Sequence, residues 1–180
     1  MQRRFMIRSL RLRLQQYKAL NYFLFLSVFS AIWTFNPVSA DTSHFGKLTL
    51  SPDFKSVGKM KVTGHTGGSY SLSAISNRDR ERNLCIGFAD TKPDHILVLE
   101  KDFSRLSLQV DSGGYDTTLL LQGPGKKEVF CGDDTGDSKD ASVEVSNLKS
   151  GEYKLWVGTF KSGMRREYSI SIEQELETKK

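Results

Sequence analysis

Beyond residue 40, apolar side chains recur at every second position, in runs of four to nine residues. ASVEVSNL (Ala141 to Leu148) sets Val143 and Val145 on one face, and EYSISIEQ (Glu167 to Gln174) alternates Tyr168, Ile170 and Ile172 with serines. EYKLWVGTF (Glu152 to Phe160) sets Tyr153, Leu155 and Val157 against Lys154 and Trp156. A period of two is the signature of a strand with one face on a core, and no stretch here sustains the helical period. Gly, Asp, Asn and Ser clusters end each run, as turns require.

The remaining strands follow the same rule. KLTLS (Lys47 to Ser51) comes first. VGKMKVTG (Val57 to Gly64) alternates Val57, Lys59 and Lys61 against Met60 and Val62. SYSLSAI (Ser69 to Ile75) follows a Gly67-Gly68 turn that reads as a hairpin. After the charged loop SNRDRERN (Ser76 to Asn83) comes CIGFA, Cys85 to Ala89. HILVLE (His95 to Glu100) and RLSLQV (Arg105 to Val110) read as a hairpin around Lys101 to Ser104. TTLLLQG (Thr117 to Gly123) and KEVFC (Lys127 to Cys131) complete ten or eleven strands. The fold class expected is all-β, a single sandwich or barrel over residues 41–180.

The first 40 residues are of another kind. Arg3, Arg4, Arg8, Arg11, Arg13 and Lys18 precede an apolar run from Ala19 to Phe35, and Val38-Ser39-Ala40 supplies small residues. These are the three parts of a secretory signal, with cleavage expected between Ala40 and Asp41. The alternative, an uncleaved anchor, has an apolar run short of the ~20 residues of a span. Arg3-Arg4-Phe5-Met6-Ile7 is a weak twin-arginine match, and its distance from the apolar run favours general secretion.

Removing the signal changes the charge. The chain has 26 Lys and Arg against 21 Asp and Glu, and the first 40 residues hold six of the basic ones and none of the acidic ones. The remainder has 20 against 21, a net charge of −1. A nucleic-acid partner needs a basic footprint and is not expected. No membrane span is expected after cleavage, and the chain is read as secreted or periplasmic. Its two cysteines, Cys85 and Cys131, then read most simply as one disulfide. Two buried thiols are the alternative. Such a bridge contributes about 4 kcal/mol in the chain-entropy account.

The stretch from about Pro93 to Glu173 resembles the bacterial pre-peptidase C-terminal domain family. The resemblance is carried by His95-Ile-Leu-Val-Leu99, Leu106-Ser-Leu-Gln-Val110, Asp116-Thr-Thr-Leu119, Leu121, Gly123-Pro124 and Asp133-Asp134. Gly151-Glu-Tyr153, Trp156-Val-Gly158 and Tyr168-Ser-Ile-Ser-Ile172 complete it. The resemblance implies a jelly-roll-like sandwich without chemistry of its own, usually appended to exported enzymes. Secretion, substrate attachment or protein interaction are the roles it implies, and related collagen-binding modules bind calcium. Residues 41–92 leave no room for a peptidase. The expectation is therefore a stand-alone domain, with 41–92 a β extension of the family-like part at 93–173. The Cys85–Cys131 bridge would tie the two.

Catalytic motifs are weak. GHTGGSYS (Gly64 to Ser71) holds His65 and Ser69, but there is no G-x-S-x-G elbow and the Gly pair suits a turn better. His44, His65 and His95 lack the close spacing of zinc ligands. No phosphate loop or dinucleotide fingerprint occurs. The alternating charges of Arg78, Asp79, Arg80, Glu81 and Arg82 suit a solvated loop.

Two features remain as candidate sites. In CGDDTGDSKD, Asp133, Asp134, Asp137 and Asp140, with Asp116 from the neighbouring strand, could offer oxygens to calcium, the one candidate cofactor. The spacing departs from the D-x-D-x-D-G loop, and Asp with Gly also serves an ordinary turn. Trp156 could stack on a sugar or a partner if its face is open, and otherwise packs beneath the N-terminal extension. The function expected is a secreted, non-enzymatic module binding an extracellular or envelope protein or polysaccharide. The alternatives are a small exported hydrolase, an accessory subunit of a secreted peptidase, or a self-associating envelope protein.

Overall fold

A computed structural model describes residues 42–51 and 59–174, all within one compact unit. The expected signal segment 1–40 and cleavage site at Ala40–Asp41, Val57 and the tail from residue 175 lie outside the described residues. Among the described residues eleven strands make two sheets. In the first, β10 (Gly151–Thr159) is flanked on one edge by β5 (His95–Leu99) and then β4 (Phe88–Ala89), and on the other by β7 (Thr117–Gln122). β1 (Lys47–Leu50) runs parallel to β5, β8 (Val129–Gly132) pairs β7, and β3 (Tyr70–Ser71) pairs β4. The second sheet has the order β2 (Met60–His65), β11 (Glu167–Gln174), β6 (Phe103–Asp111), β9 (Ser142–Leu148), all antiparallel.

The alternation read in the sequence builds the inner core. Tyr153, Leu155 and Val157 of β10 and Leu119 and Leu121 of β7 face Leu106, Leu108 and Val110 of β6 and Ile170 and Ile172 of β11. Each buried Leu or Ile contributes roughly 1.5–3 kcal/mol relative to exposure. The molecule is a β-sandwich, as expected.

A second apolar cluster lies on the outer face of the first sheet. Leu120, Val129, Cys131 and Trp156 point away from the inner core and are covered by Leu72, Cys85 and Ala89. Residues 70–89 thus form a flap over this sheet. Their expected strands shrink accordingly. In SYSLSAI only Tyr70–Ser71 is a strand; Leu72–Ala74 is a 3₁₀ turn that drives Leu72 under the flap. In CIGFA only Phe88–Ala89 is a strand. The disulfide joins Cys85 of the flap to Cys131 of β8, Cα atoms 5.3 Å apart.

Two expected hairpins are replaced by crossings between sheets. β5 lies in the first sheet and β6 in the second, so HILVLE and RLSLQV do not pair. Four of the five β5 residues are buried, Leu97 and Leu99 in the inner core and Ile96 on the opposite face, whereas β6 alternates between core and solvent. The corner between them is tied to the β9–β10 turn, where Asp102 accepts from the Ser150 N–H (2.8 Å) and Lys149 Nζ (2.8 Å). Gly67-Gly68 likewise carries the chain from β2 in the second sheet to β3 in the first. Gly68 has φ +84°, and a Cβ there would collide with the Ala89 carbonyl, so its role is close approach under positive φ.

Among the described residues no helix is long and apolar enough to cross a membrane.

Candidate functional site

Three regions gather polar side chains, and they differ in what they can do.

The first is a track beside the flap. A depression of about 480 Å³ is lined by Tyr70, Ile75, Lys92, Gln122, Lys126 and Trp156, among others. A second, of about 370 Å³, is lined by Ser69, Tyr70, Asp90 and Thr91. Both share Tyr70 and Thr91, so they adjoin as one open surface that includes the exposed Tyr70. Trp156 is only 4% exposed. It does not offer a stacking face; it packs beneath the flap, the second of the two roles the sequence allowed, and its indole N–H is buried without a protein acceptor.

The second region is the loop end that holds the acidic stretch. Here the five candidate ligands separate. Asp116, Asp133 and Asp134 each bring a carboxylate oxygen within 4.8 Å of the others. Burial, then the charges of Asp134 and Asp116, hold the Asp133 carboxyl above the usual range, and its Oδ1 is buried without a partner. Hard carboxylate oxygens so placed suit a calcium ion, with further oxygens needed to reach its usual six to eight. Asp140 is engaged elsewhere: its carboxylate accepts from the Ser112 N–H (2.8 Å), the Ser112 hydroxyl and the Gly114 N–H (3.2 Å). Asp140 therefore staples the 112–115 loop. Asp137 is exposed in the turn closed by Thr135 and Ser138 and does not join the trio.

The same loop end carries a smaller cavity of about 230 Å³, walled by Tyr115, Asp116, Lys139, Lys161, Met164 and Arg166. The Arg166 guanidinium lies 4.1 Å from the Tyr115 ring centroid. Sequence reading passed over both residues, since their meeting is tertiary.

The third region is a buried polar cluster where β5 leaves β10. The Leu155–His95 pairing ends β5 against β10, and β4 resumes only at Thr159. In the gap, the Asp94 carboxylate accepts the Val157 N–H at 2.7 Å. Burial pushes Asp94 up to about 7, against that hydrogen bond. The adjacent His95 is 2% exposed, and burial pushes it down to about 4. Its Nε2 lies 3.0 Å from the Tyr168 hydroxyl, whose own ionisation burial pushes up. Phe45 covers the group, with ring centroids 5.6 Å from His95 and 4.8 Å from His65.

A nucleophile needs a base within hydrogen-bond reach. Among the described residues no serine side chain bonds to His65 or His95. The His65 Nδ1 faces the Thr66 carbonyl (3.3 Å), and Ser69 is exposed on the track. His44 pairs with Asp90 at 3.5 Å on the surface.

Sequence reading also passed over Asp79, taken there as part of a solvated loop. Its buried carboxylate accepts from Glu81 N (2.9 Å), Asn83 N (2.8 Å), Asn83 Nδ2 (3.0 Å) and Cys131 N (3.2 Å). It organises the flap's tip and ties it to β8 beside the disulfide.

The fold and these surfaces define a two-sheet β-sandwich with open depressions at its flap and loop end. No family model matches the sequence, and no curated protein matches it. Solved structures similar to it include the pre-peptidase C-terminal domain of a Bacillus anthracis collagenase, at 13% identity and TM-score 0.42, covering 71% of this chain and 94% of that one. They also include PliG, a periplasmic inhibitor of g-type lysozyme from Aeromonas hydrophila, at 13% identity and TM-score 0.36, covering 72% and 99%. CorA, a surface-associated copper-binding protein of Methylomicrobium album, is similar at 6% identity and TM-score 0.42, covering 74% and 100%. The first of these is a domain of the family that the sequence resembles.

Proposed function

We propose that the chain is an exported, non-enzymatic binding module that holds a polysaccharide of the envelope or the extracellular space along the flap track. The observation that carries this reading is the continuity of the two depressions through Tyr70 and Thr91. Two adjoining open depressions with an aromatic residue and cationic and amide side chains suit a polar ligand that spans both better than one confined to either. The Cys85–Cys131 disulfide supports residence in an oxidising compartment. The test is affinity electrophoresis against neutral and acidic polysaccharides, with envelope proteins as a separate arm. Tyr70→Ala and Lys92→Ala should each weaken retention by roughly tenfold, the scale of one lost anchor. Retention unchanged in both variants, or capture of proteins alone, would sink the reading.

Calcium is a second reading, favoured by the buried, unpartnered Asp133 Oδ1 within the trio. A cation held by Asp116, Asp133 and Asp134 would offset their mutual repulsion, and binding to the native state must raise the melting temperature. The expected result is a rise of a few degrees with millimolar calcium, reversed by chelator and lost in Asp133→Asn. A melting temperature indifferent to calcium would remove this reading and leave the first untouched.

A further inference from the structure

We propose that the loop-end cavity is a second binding site, taking the carboxylate of an acidic sugar ring. It does not rest on the flap track, with which it shares no lining residue. Three cationic side chains, Lys139, Lys161 and Arg166, face one carboxylate, Asp116, in a space of about 230 Å³. Among the described residues no carboxylate lies within ion-pair distance of any of the three. The Arg166 Nε is buried without an acceptor. Its Cζ lies 4.1 Å from the Tyr115 ring centroid and its Nη1 donates to the Arg165 carbonyl at 3.4 Å, two contacts that restrict the guanidinium. A planar fork restricted in this way matches the two oxygens of a carboxylate, and less ordering remains to oppose binding.

The rim is built from the backbone outward. Thr66, fully buried, donates its hydroxyl to the Met164 carbonyl (2.9 Å) and accepts the Arg166 N–H (2.9 Å), and the Thr66 N–H donates to the Arg166 carbonyl (2.8 Å). The Lys161 carbonyl accepts the Thr159 hydroxyl (2.8 Å), and the Lys139 carbonyl accepts the Thr117 N–H (3.1 Å). The Phe160 N–H donates to the Asp116 carbonyl (3.2 Å). Each cation therefore springs from a fixed main chain, although the turns lie far apart in sequence.

Size and lining choose the ligand. The volume is below the ~300–1,000 Å³ of drug-sized pockets and admits one ring-sized group. Tyr115 is half exposed, and Met164 adds an apolar wall. A sugar ring presents C–H faces to such a wall while its carboxylate meets the cations. A bare oxyanion would use only the cations.

The test is an NMR titration of the whole protein, with chelator present, using digalacturonate as the probe and lactose, acetate and triglutamate as comparisons. Digalacturonate should shift the resonances of Tyr115, Lys139, Lys161 and Arg166 and bind at least tenfold more tightly than the other three. Arg166→Gln should weaken it at least tenfold and Lys161→Gln severalfold, with the melting temperature kept. If Arg166→Gln does not fold, Lys139→Gln and Lys161→Gln carry the same expectation. Tyr70→Ala, which disables the track, should leave this binding unchanged. Equal binding of lactose overturns the carboxylate, equal binding of acetate or triglutamate overturns the sugar ring, and loss in Tyr70→Ala overturns the site.

Discussion

Asp94 and His95 sit side by side in the chain, are both buried, and are pushed in opposite directions: Asp94 up to about 7 and His95 down to about 4. Their linkage to stability is opposite in sign. Between about pH 4 and 6.5, folding takes up a proton at Asp94 and releases one at His95, so the two slopes offset. Asp94→Asn should leave His95 alone, and stability should then rise with pH across that window, because the unfolded chain holds the extra proton. His95→Gln should do the reverse, with stability falling as pH rises towards 7. Melting temperatures of the three proteins from pH 4 to 8 check this, and parallel profiles would refute it. The sequence showed His95 only as a residue at a strand start. It gave no sign of Asp94, because the need for an acceptor there arises from where β5 and β4 stop along β10.

At the scale of elements, the flap is the part that strand periodicity could not describe. β9 and β11 were legible because each has one face on the inner core and the other more open, and β10 because its inner face carries Tyr153, Leu155 and Val157 at every second position. Between β3 and β4, which join the edge of the first sheet, residues 72–87 pack on its outer face through Leu72 and Cys85, and so few contacts impose no period. What holds them is the disulfide, with Asp79 bonded to Cys131 N and Arg80 N bonded to the Val129 carbonyl at 3.0 Å. The bond closes a span of 46 residues, for which the chain-entropy account gives about 4 kcal/mol. Cys85→Ser with Cys131→Ser should lower the melting temperature. It should also let trypsin cut at Arg78, Arg80 or Arg82 under conditions where the oxidised protein resists. The inner core contains no cysteine, so the strands of the second sheet should keep their amide protection in the same variant. Loss of that protection, or unchanged resistance to trypsin, would show that the flap is not a separate layer.

For the whole molecule, two readings of the chain were available from the same alternation, hairpins within one sheet or crossings between two. Length and spacing do not decide between them. The decisive difference lay in the near-continuous apolar run of HILVL against the alternation of FSRLSLQVD, which reports two-sided against one-sided burial. The loop end was legible only in composition. The acidic residues of CGDDTGDSKD were evident, but their separation into an acidic trio and an Asp140 staple depends on Asp116 and Ser112 arriving from another turn. With the residues after Ala40 near charge balance, at 20 basic against 21 acidic, no long-range field draws a ligand in. In the proposed function, recognition would fall to the local groups of the track and the cavity.

The flap's attachment makes the two sites unequal in one respect. Tyr70 and Ile75 reach the track from the segment that Cys85 pins, whereas Tyr115 and Arg166 belong to turns of the sandwich itself. A chain kept in a thiol-rich compartment would hold its shape and its loop-end cavity while presenting no ordered track. In the proposed function, oxidation after export would complete one of the two surfaces, and the reduced chain would be folded yet unable to hold the longer ligand.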